Sequence, residues 1–183
     1  MKKIALEGAM STGKTTIGTL LSEKLGYPLI DEAARKALEV GFKLDKTATF
    51  ESQFWMLAHQ FEEEMVYAHH NKPFIADRGI LSIAVYSYLN KNIKPHQKMF
   101  LYRFIREEII LKQRYDKIIY FPPNIKLEDD GVREIDPAFQ KKLHMTYMTI
   151  AKNWQIPLHV VQSISIEDRV EELYNLITTK DEV

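Results

Sequence analysis

Residues 8–15 are the part of the sequence that most constrains the fold. They run Gly-Ala-Met-Ser-Thr-Gly-Lys-Thr, which fits the pattern G-x-x-x-x-G-K-[ST], and they stand between an apolar run and a helical pattern. In that context Gly8 and Gly13 let the backbone turn so that successive N–H groups point at an anion. The segment therefore predicts a phosphate-binding loop (P-loop) that joins a first strand to a first helix. The alternative is a glycine-rich turn without a ligand.

The side chains of this loop indicate which phosphate compound is bound. Lys14 is expected to reach β and γ phosphates, and the Thr15 hydroxyl can ligate Mg²⁺. We therefore expect ATP and Mg²⁺ as cofactors. The sequence contains no N-K-x-D element for guanine, and Met10 excludes the dinucleotide pattern G-x-G-x-x-G. The residues expected to hold the cofactor are Gly8, Ala9, Met10, Ser11, Thr12, Gly13, Lys14, Thr15 and Thr16.

Apolar runs and helical patterns alternate along the whole chain. This alternation predicts one α/β domain over residues 1–183, a three-layer, doubly wound parallel sheet with helices on both faces. The Phe and Tyr side chains are interpreted as core. The predicted strands are 3–7, 27–31, 73–77, 117–121 and 157–162, and the predicted helices are 15–25, 32–40, 47–70, 81–89, 95–114, 137–154 and 166–177, with Asp136 and Ser165 as N-caps.

Composition narrows the function. With 25 basic and 25 acidic residues, the chain has no net charge that would draw it to nucleic acid, so we expect a locally held phosphate instead. The absence of Cys excludes disulfides, thiol catalysis and Cys-based metal sites. No apolar run is long enough for a membrane helix, and the apolar run near the N-terminus, which meets Glu7 after three residues, is too short for a signal peptide. We expect a cytoplasmic protein, and the sequence leaves a homodimer open.

Charged residues follow two predicted strands where they reach the carboxyl edge of the sheet, which is where open α/β folds bind ligands. Asp77 can hold a water molecule of the Mg²⁺ coordination shell, and the Arg78 guanidinium can form two parallel hydrogen bonds to a phosphate. The alternative is that Asp77 and Arg78 form only an ion pair at the end of the strand. Asp31 or Glu32 can accept the proton of an attacking hydroxyl. The alternative is a pair of acids at a helix N-terminus, with Glu32 paired to Arg35.

Two further segments are candidates for ligand contacts. Gln53 and Gln60 lie on one face of the helix predicted over residues 47–70, and their amides could form hydrogen bonds with a nucleobase. The alternative is that this face is only the intermediate face between the buried and the exposed sides of the helix. Residues 122–136 lack periodicity and predict a lid loop. Arg133 in this loop could close over the phosphates, whereas the alternative is a solvated charged loop.

Several short motifs together carry a family resemblance: G-A-M-S-T-G-K-T-T at 8–16, E-A-A-R at 32–35, Gln60 with acids after it, D-R-G at 77–79, Tyr115-Asp116 and D-G-V-R at 130–133. They resemble P-loop kinases that phosphorylate nucleosides and related small molecules, above all ribosylnicotinamide kinase domains. The chain departs from that pattern at Ser82, where many relatives have Asp.

The resemblance implies a five-stranded sheet in the order 2-3-1-4-5, with Lys14 and Thr15 on ATP and Mg²⁺. It also implies Glu32 as the base, Arg78 near the acceptor and Arg133 in the lid. Gln60 and Arg35 would then lie on the substrate side. We therefore expect transfer of phosphate from ATP to a small nucleoside, nucleotide or nucleoside-like acceptor.

Two other functions stay open at this stage. One is an ATPase switch or interaction module, which would carry an exposed apolar surface near the lid. The other is a polynucleotide 5′-kinase. It would use a local excess of positive charge formed by Arg103, Arg106, Lys112, Arg114 and Lys117 against Glu107, Glu108 and Asp116.

Overall fold

The computed structural model describes residues 2–124 and 136–179. Strands and helices alternate through most of this length, as the sequence predicts. The strands are β1 Lys3–Gly8, β2 Leu29–Ile30, β3 Phe74–Asp77, β4 Lys117–Phe121 and β5 Leu158–Val160. The helices are α1 Lys14–Leu25, α2 Ala33–Glu39, α3 Phe50–His69, α4 Leu81–Leu89, α5 Pro95–Arg106, α6 Pro137–Trp154 and α7 Ile166–Thr178, with a 3-10 turn at Asp45–Thr47 and a π-helical turn at Glu107–Leu111.

The five strands form one parallel sheet in the order β2-β3-β1-β4-β5. In the centre, Leu6 lies opposite Asp77 of β3 and Ile119 of β4. This confirms the predicted fold class and the strand order that the resemblance implies. The arrangement brings the carboxyl ends of β1 and β3 side by side, and the segments that follow these strands form the candidate site.

Side chains of β1 alternate between two apolar layers, as the two-residue period of a strand requires. Ile4 and Leu6 belong to the smaller cluster, which contains side chains of α1 and α7. Ala5 belongs to the larger cluster, which contains side chains of α2 through α6. Both faces of the central strands are therefore covered, which explains why these strands are apolar runs rather than alternating patterns.

Several predicted elements are shorter in the structure than in the sequence analysis; β5, for example, spans Leu158–Val160 instead of residues 157–162, and α3 spans Phe50–His69 instead of residues 47–70. Strand β2 spans Leu29–Ile30 instead of residues 27–31; it is an edge strand, and Pro28 has no N–H to extend the ladder. The helix predicted over 95–114 ends at Arg106, and the π-helical turn follows it. The helical path ends before Gln113, whose φ of 47° lies in the left-handed region. The predicted N-caps Asp136 and Ser165 are confirmed, since each accepts a backbone N–H bond.

The interpretation of the Phe and Tyr side chains as core is wrong for Phe54 of α3 and Phe100 of α5. Phe54 and Phe100 are 43% and 50% exposed, and their rings lie 5.9 Å apart. Helix α3 instead buries polar side chains, including Gln53, Gln60 and Glu64. Helix α3 therefore leaves Phe54 at the surface beside α5, whereas its inward face combines these polar side chains with the core residues Met56 and Leu57.

Candidate active site

The phosphate loop follows β1 directly. At Gly8 the backbone has a φ of 149°, and a Cβ atom there would lie 2.6 Å from the carbonyl oxygen of Phe121. No side chain fits that gap, so the sequence motif has a steric reason at this position. Gly13 is the N-cap of α1 with a φ of 84°. The loop thus ends at a helix N-terminus, where unpaired N–H groups favour an anion.

Lys14 lies across the loop instead of pointing into solvent. Its Nζ atom donates to the carbonyl oxygen of Ala9 at 2.5 Å and to the hydroxyl of Thr12 at 3.1 Å, and the residue is only 5% exposed. Thr12 in turn donates to the same carbonyl oxygen at 3.1 Å. These bonds hold a buried ammonium group inside the curve of the loop, within reach of any anion that the backbone N–H groups bind.

Two side chains from distant helices fix the backbone of the loop, and the sequence analysis missed both. Gln140 of α6 donates to the carbonyl oxygen of Met10 at 2.9 Å. Arg169 of α7 donates to the carbonyl oxygen of Thr12 at 3.0 Å and to Asn124 Oδ1 at 2.6 Å. Neither residue lies in a motif, and their separation in sequence from the loop leaves no local signal that could have found them.

Removing Arg169 should destabilise the fold. The Arg169→Met variant keeps much of the side-chain volume but leaves three acceptors without a donor, namely the carbonyl oxygens of Ser163 and Thr12 and the side chain of Asn124. We expect the free energy of unfolding, measured by urea denaturation, to fall by about 2–4 kcal/mol. The control is Arg35→Met at an exposed position, where a change within about 0.5 kcal/mol is expected. Equal losses in the two variants would contradict the assignment.

Thr15 and Asp77 form the part of the site that fits a magnesium ion. The Thr15 hydroxyl donates to Asp77 Oδ2 at 2.6 Å. The other oxygen, Oδ1, is buried and has no hydrogen-bond partner among the described residues. Burial and the nearby Glu32 raise the pKa of Asp77 above its usual range, while Lys14 and Thr15 oppose that rise. Hydroxyl and carboxylate oxygens are the ligands that Mg²⁺ prefers, so the donor set is suitable.

Arg78 and Glu32 form a buried ion pair next to the loop. The Nε atom of Arg78 lies 2.5 Å from Glu32 Oε1, and its Nη1 atom donates to the carbonyl oxygen of Gly8 and to the Tyr86 hydroxyl, each at 3.2 Å. Burial lowers the pKa of Arg78, but Glu32 raises it, with smaller contributions from Tyr86, Tyr147 and Asp77. As a result the pKa of Arg78 lies well above its ordinary value. Arg78 also has a φ of 75°, a strained conformation of the kind that clusters at functional sites.

A cleft with about 450 Å³ of unfilled volume, part of it open to solvent, begins at this ion pair. Both glutamines predicted on α3 lie in its wall, and Gln53 Oε1 is buried without a partner among the described residues. Ser82, where the chain departs from the family pattern, donates to the carbonyl oxygen of Gly79 at 2.8 Å. The lining residues are Glu32, Ala33, Ala34, Leu44, Asp45, Gln53, Met56, Gln60, Arg78, Gly79, Ser82, Ile83 and Tyr86.

The structure does not bring every predicted residue to this cleft. Arg35 is exposed on α2 and does not line the cleft, so its expected place on the substrate side is not supported. The proposed pairing of Arg35 with Glu32 is also wrong, because Glu32 pairs with Arg78. Asp31 is exposed, whereas Glu32 is 6% exposed. Arg133 and most of the lid predicted over 122–136 lie outside the described residues.

Glu7 is a buried acid that the sequence analysis did not consider. It is fully buried at the end of β1, and one of its oxygens accepts a hydrogen bond from the Tyr147 hydroxyl at 3.0 Å. Burial raises the pKa of this carboxyl group to about 8, although Tyr147 and Arg78 oppose the rise. At neutral pH the group therefore holds a proton in the folded protein that it releases on unfolding.

This difference gives folding stability a pH dependence. An acid with a raised pKa contributes full stability below its unfolded pKa near 4.5, and that contribution is lost as pH rises towards 8. Glu7→Gln should match the wild type near pH 4.5 and be more stable at pH 7.5 by on the order of 2–4 kcal/mol. Urea denaturation at both pH values measures the difference. A variant that is less stable than wild type at pH 7.5 would contradict the raised pKa.

The chain belongs to the AAA domain family, whose model matches residues 3–169. Among proteins of known activity, it is 23% identical over 174 residues to a deoxyguanosine kinase of Bacillus subtilis, covering 90% of this chain and 82% of the relative. A shikimate kinase of Caldicellulosiruptor bescii is 50% identical over a shorter stretch of 46 residues, 25% of this chain and 27% of the relative.

Solved structures share the fold at low sequence identity. A deoxyadenosine kinase from M. mycoides with products bound superposes with a TM-score of 0.70 at 21% identity, covering 95% of this chain and 97% of that chain. A NadR protein in complex with NR superposes with a TM-score of 0.76 at 20% identity; it covers all of this chain, which matches 53% of that longer chain.

The motif, the sheet order and these relatives agree on the class of protein. The predicted resemblance to nucleoside kinase-like P-loop proteins is confirmed, and the chain is a P-loop kinase, a phosphotransferase for small molecules. Among the described residues, no helix is long and apolar enough to cross a membrane.

Proposed function

We propose that this kinase transfers the γ-phosphate of ATP to a hydroxyl group of a nucleoside or closely related acceptor in the cleft lined by Glu32, Gln60 and Arg78. The observation that carries the proposal is the buried ion pair between Glu32 and Arg78, 2.5 Å apart. The pair borders both the phosphate loop, through the bond from Arg78 to Gly8, and the cleft. A carboxylate at that junction can reach an acceptor hydroxyl while the phosphate loop holds the donor.

In the proposed reaction Glu32 accepts the proton of the acceptor hydroxyl as its oxygen attacks the γ-phosphorus. The bond between the γ-phosphorus and the bridging oxygen breaks, and ADP leaves. Lys14 and Arg78 would neutralise the charge that spreads over the phosphoryl oxygens, and such positioning and neutralisation supply most of the catalysis in phosphoryl transfer. Arg133 would add a further positive charge from the lid.

Magnesium would be held by Thr15 and Asp77. There it would supply positive charge to offset the negative charge of the phosphates. Asp77 Oδ1 is buried and has no donor among the described residues, which supports this assignment, because such an oxygen is costly unless a cation or water satisfies it. Lys14 would exchange the carbonyl oxygen of Ala9 for phosphate oxygens when ATP binds.

The nucleoside class of acceptor is supported by the relatives. A deoxyguanosine kinase matches most of the chain, and structures named as deoxyadenosine kinase and NadR in complex with NR share the fold. The cleft itself supports a ring-shaped acceptor, because amides and an aromatic side chain, Gln53, Gln60 and Tyr86, lie in its wall with the ion pair at one end.

The test is an acceptor panel. Purified protein with ATP and Mg²⁺ is given nucleosides, deoxynucleosides, nucleoside monophosphates, nicotinamide riboside and shikimate, and both ADP and the phosphorylated product are measured. We expect ADP release to rise at least about tenfold over the rate without acceptor for one nucleoside class. ADP release that no acceptor stimulates would contradict the proposal.

The structure weakens the case for a polynucleotide 5′-kinase, because two of the five basic residues in its predicted positive cluster are paired with acids. Arg114 donates to Glu64 at 2.6 Å, and Lys112 lies 2.7 Å from Glu108. An ATPase switch is predicted to expose an apolar surface near the lid; the exposed apolar surface around Phe54 and Phe100 lies between α3 and α5 instead. ADP release that a protein partner stimulates, without a phosphorylated product, would identify an ATPase switch.

A homodimer and a cytoplasmic location stay predictions. Sedimentation of the purified protein tests the first, and cell fractionation tests the second.

A further inference from the structure

Behind the cleft wall lies a buried carboxylate that contacts no substrate position itself. Glu64 is 1% exposed, and its Oε1 atom accepts a hydrogen bond from Gln60 Nε2 at 2.8 Å. The two residues are four apart on α3, so they occupy neighbouring turns of the same helix face. Glu64 therefore holds one end of the Gln60 side-chain amide by a hydrogen bond, while Gln60 also lines the cleft.

The partners of Glu64 determine which way round this amide lies. Arg114, a donor only, donates its Nε–H to Glu64 Oε2 at 2.6 Å. The Tyr115 hydroxyl accepts the N–H of Ile80 at 3.0 Å, so its own proton goes to Glu64 Oε1 at 2.7 Å. Burial raises the pKa of Glu64, but the guanidinium in contact opposes that rise and favours the ionised form. Both oxygens of Glu64 thus accept from donors that cannot reverse their roles, Arg114 at Oε2 and the Tyr115 hydroxyl at Oε1, so Gln60 must turn its NH₂ group towards Oε1.

With its NH₂ group held by Glu64, Gln60 offers the cleft its carbonyl oxygen. Gln53 lies in the same wall, seven residues or about 10 Å along the helix axis from Gln60. This wall of the cleft thus presents the Gln60 carbonyl oxygen to a ligand as a hydrogen-bond acceptor.

We propose that Glu64 is a positioning residue that fixes Gln60 with its carbonyl oxygen towards the cleft, and that the site thereby selects acceptor molecules whose ring edge places an exocyclic amino group opposite that oxygen. This inference rests on the proposed function. An exocyclic amino group can donate to Gln60 Oε1, whereas a ring carbonyl in the same place would face it oxygen to oxygen. A site built for a hydrogen bond rejects an analogue that cannot make it more strongly than an apolar site rejects a difference in size.

Matched nucleosides that differ by this group test the proposal. The pairs are deoxyadenosine with deoxyinosine and deoxycytidine with deoxyuridine, and the measured quantity is the ratio of kcat/KM within each pair. For the wild type we expect the amino member to be favoured by at least about 30-fold in the preferred pair. The difference should be mainly in KM, since the contact lies away from the transferred phosphate. A ratio near one, or a preference for the oxo member, overturns the proposal.

The positioning role is tested by Glu64→Gln with Glu108→Gln as the matched control. Glu108 is also buried, and it contacts Arg114 at 3.4 Å but makes no hydrogen bond to Gln60 in the described structure. In Glu64→Gln the amide of residue 60 is free to turn, so the ratio should fall to within about threefold of one. Glu108→Gln should keep the wild-type ratio. Equal changes in both variants would mean a general loosening and overturn the assignment of Glu64.

Two further variants keep the test decisive if Glu64→Gln does not fold. Gln60→Met removes the carbonyl without burying a charge, and Tyr115→Phe removes one bond to Glu64 while keeping the ring. The first should abolish the discrimination and the second should weaken it. The rise in Tm with each nucleoside is measured in parallel. Binding with the amino preference but without phosphorylation would reject the proposed function and keep this inference, whereas phosphorylation without preference would do the reverse.

Discussion

Replacing Lys14 with Ala should reduce kcat/KM for ATP by about 10²–10³-fold or more, corresponding to about 3–4 kcal/mol of lost transition-state stabilisation. The ammonium group of Lys14 is buried within the phosphate loop, where low polarity strengthens its attraction for phosphate oxygens. In the folded protein it is held by the carbonyl oxygen of Ala9 and the hydroxyl of Thr12. The measurement is ADP release at saturating acceptor over a range of ATP concentrations.

The matched control is Lys24→Ala, further along the same helix. Lys24 pairs with Glu171 on the surface, with the two side chains 37% and 59% exposed. Such a pair contributes little to stability, so activity should stay within about twofold of wild type. Thermal unfolding of both variants shows whether a loss of activity comes from a loss of fold. Lys14→Ala with activity close to wild type would contradict the role of the loop.

The fold could be predicted from the sequence because its signals are local. The loop at 8–15 requires a strand before it and a helix after it, and buried parallel strands appear as short apolar runs. The predicted limits of β4 and α4, for example, agree with Lys117–Phe121 and Leu81–Leu89. The predicted bounds are wrong where tertiary contacts determine where an element ends, as at the edge strand β2 and at the end of α5.

The candidate site could be predicted only where a motif carries it. Glu32, Arg78 and Gln60 were predicted from their places after strands or from short matches, and the structure brings all three to one cleft. Glu64 and Arg169 act through hydrogen bonds to residues that other parts of the fold bring to them. No periodicity or spacing in the sequence indicates such contacts, so residues that support the site in this way can be identified only from the structure.

The choice between Asp31 and Glu32 as the base, which the sequence left open, now has an expected answer. Glu32 is 6% exposed and lies 2.5 Å from Arg78 in the cleft, whereas Asp31 is exposed at the surface. Glu32→Gln has nearly the same size and keeps an oxygen for Arg78, but its amide cannot take the proton of the attacking hydroxyl. We therefore expect kcat to fall by about 10²–10⁴-fold with KM for ATP little changed.

Asp31→Asn is the matched control, because it makes the same chemical change one residue away. We expect it to keep kcat within about twofold of wild type, since an exposed carboxylate outside the cleft cannot reach the acceptor. Single-turnover assays with saturating ATP and acceptor separate the chemical step from product release for both variants. If Asp31→Asn loses the chemical step and Glu32→Gln retains it, the base has been assigned to the wrong carboxylate. If neither variant loses it, catalysis depends on positioning and charge alone, and the ion pair with Arg78 is then the function of Glu32.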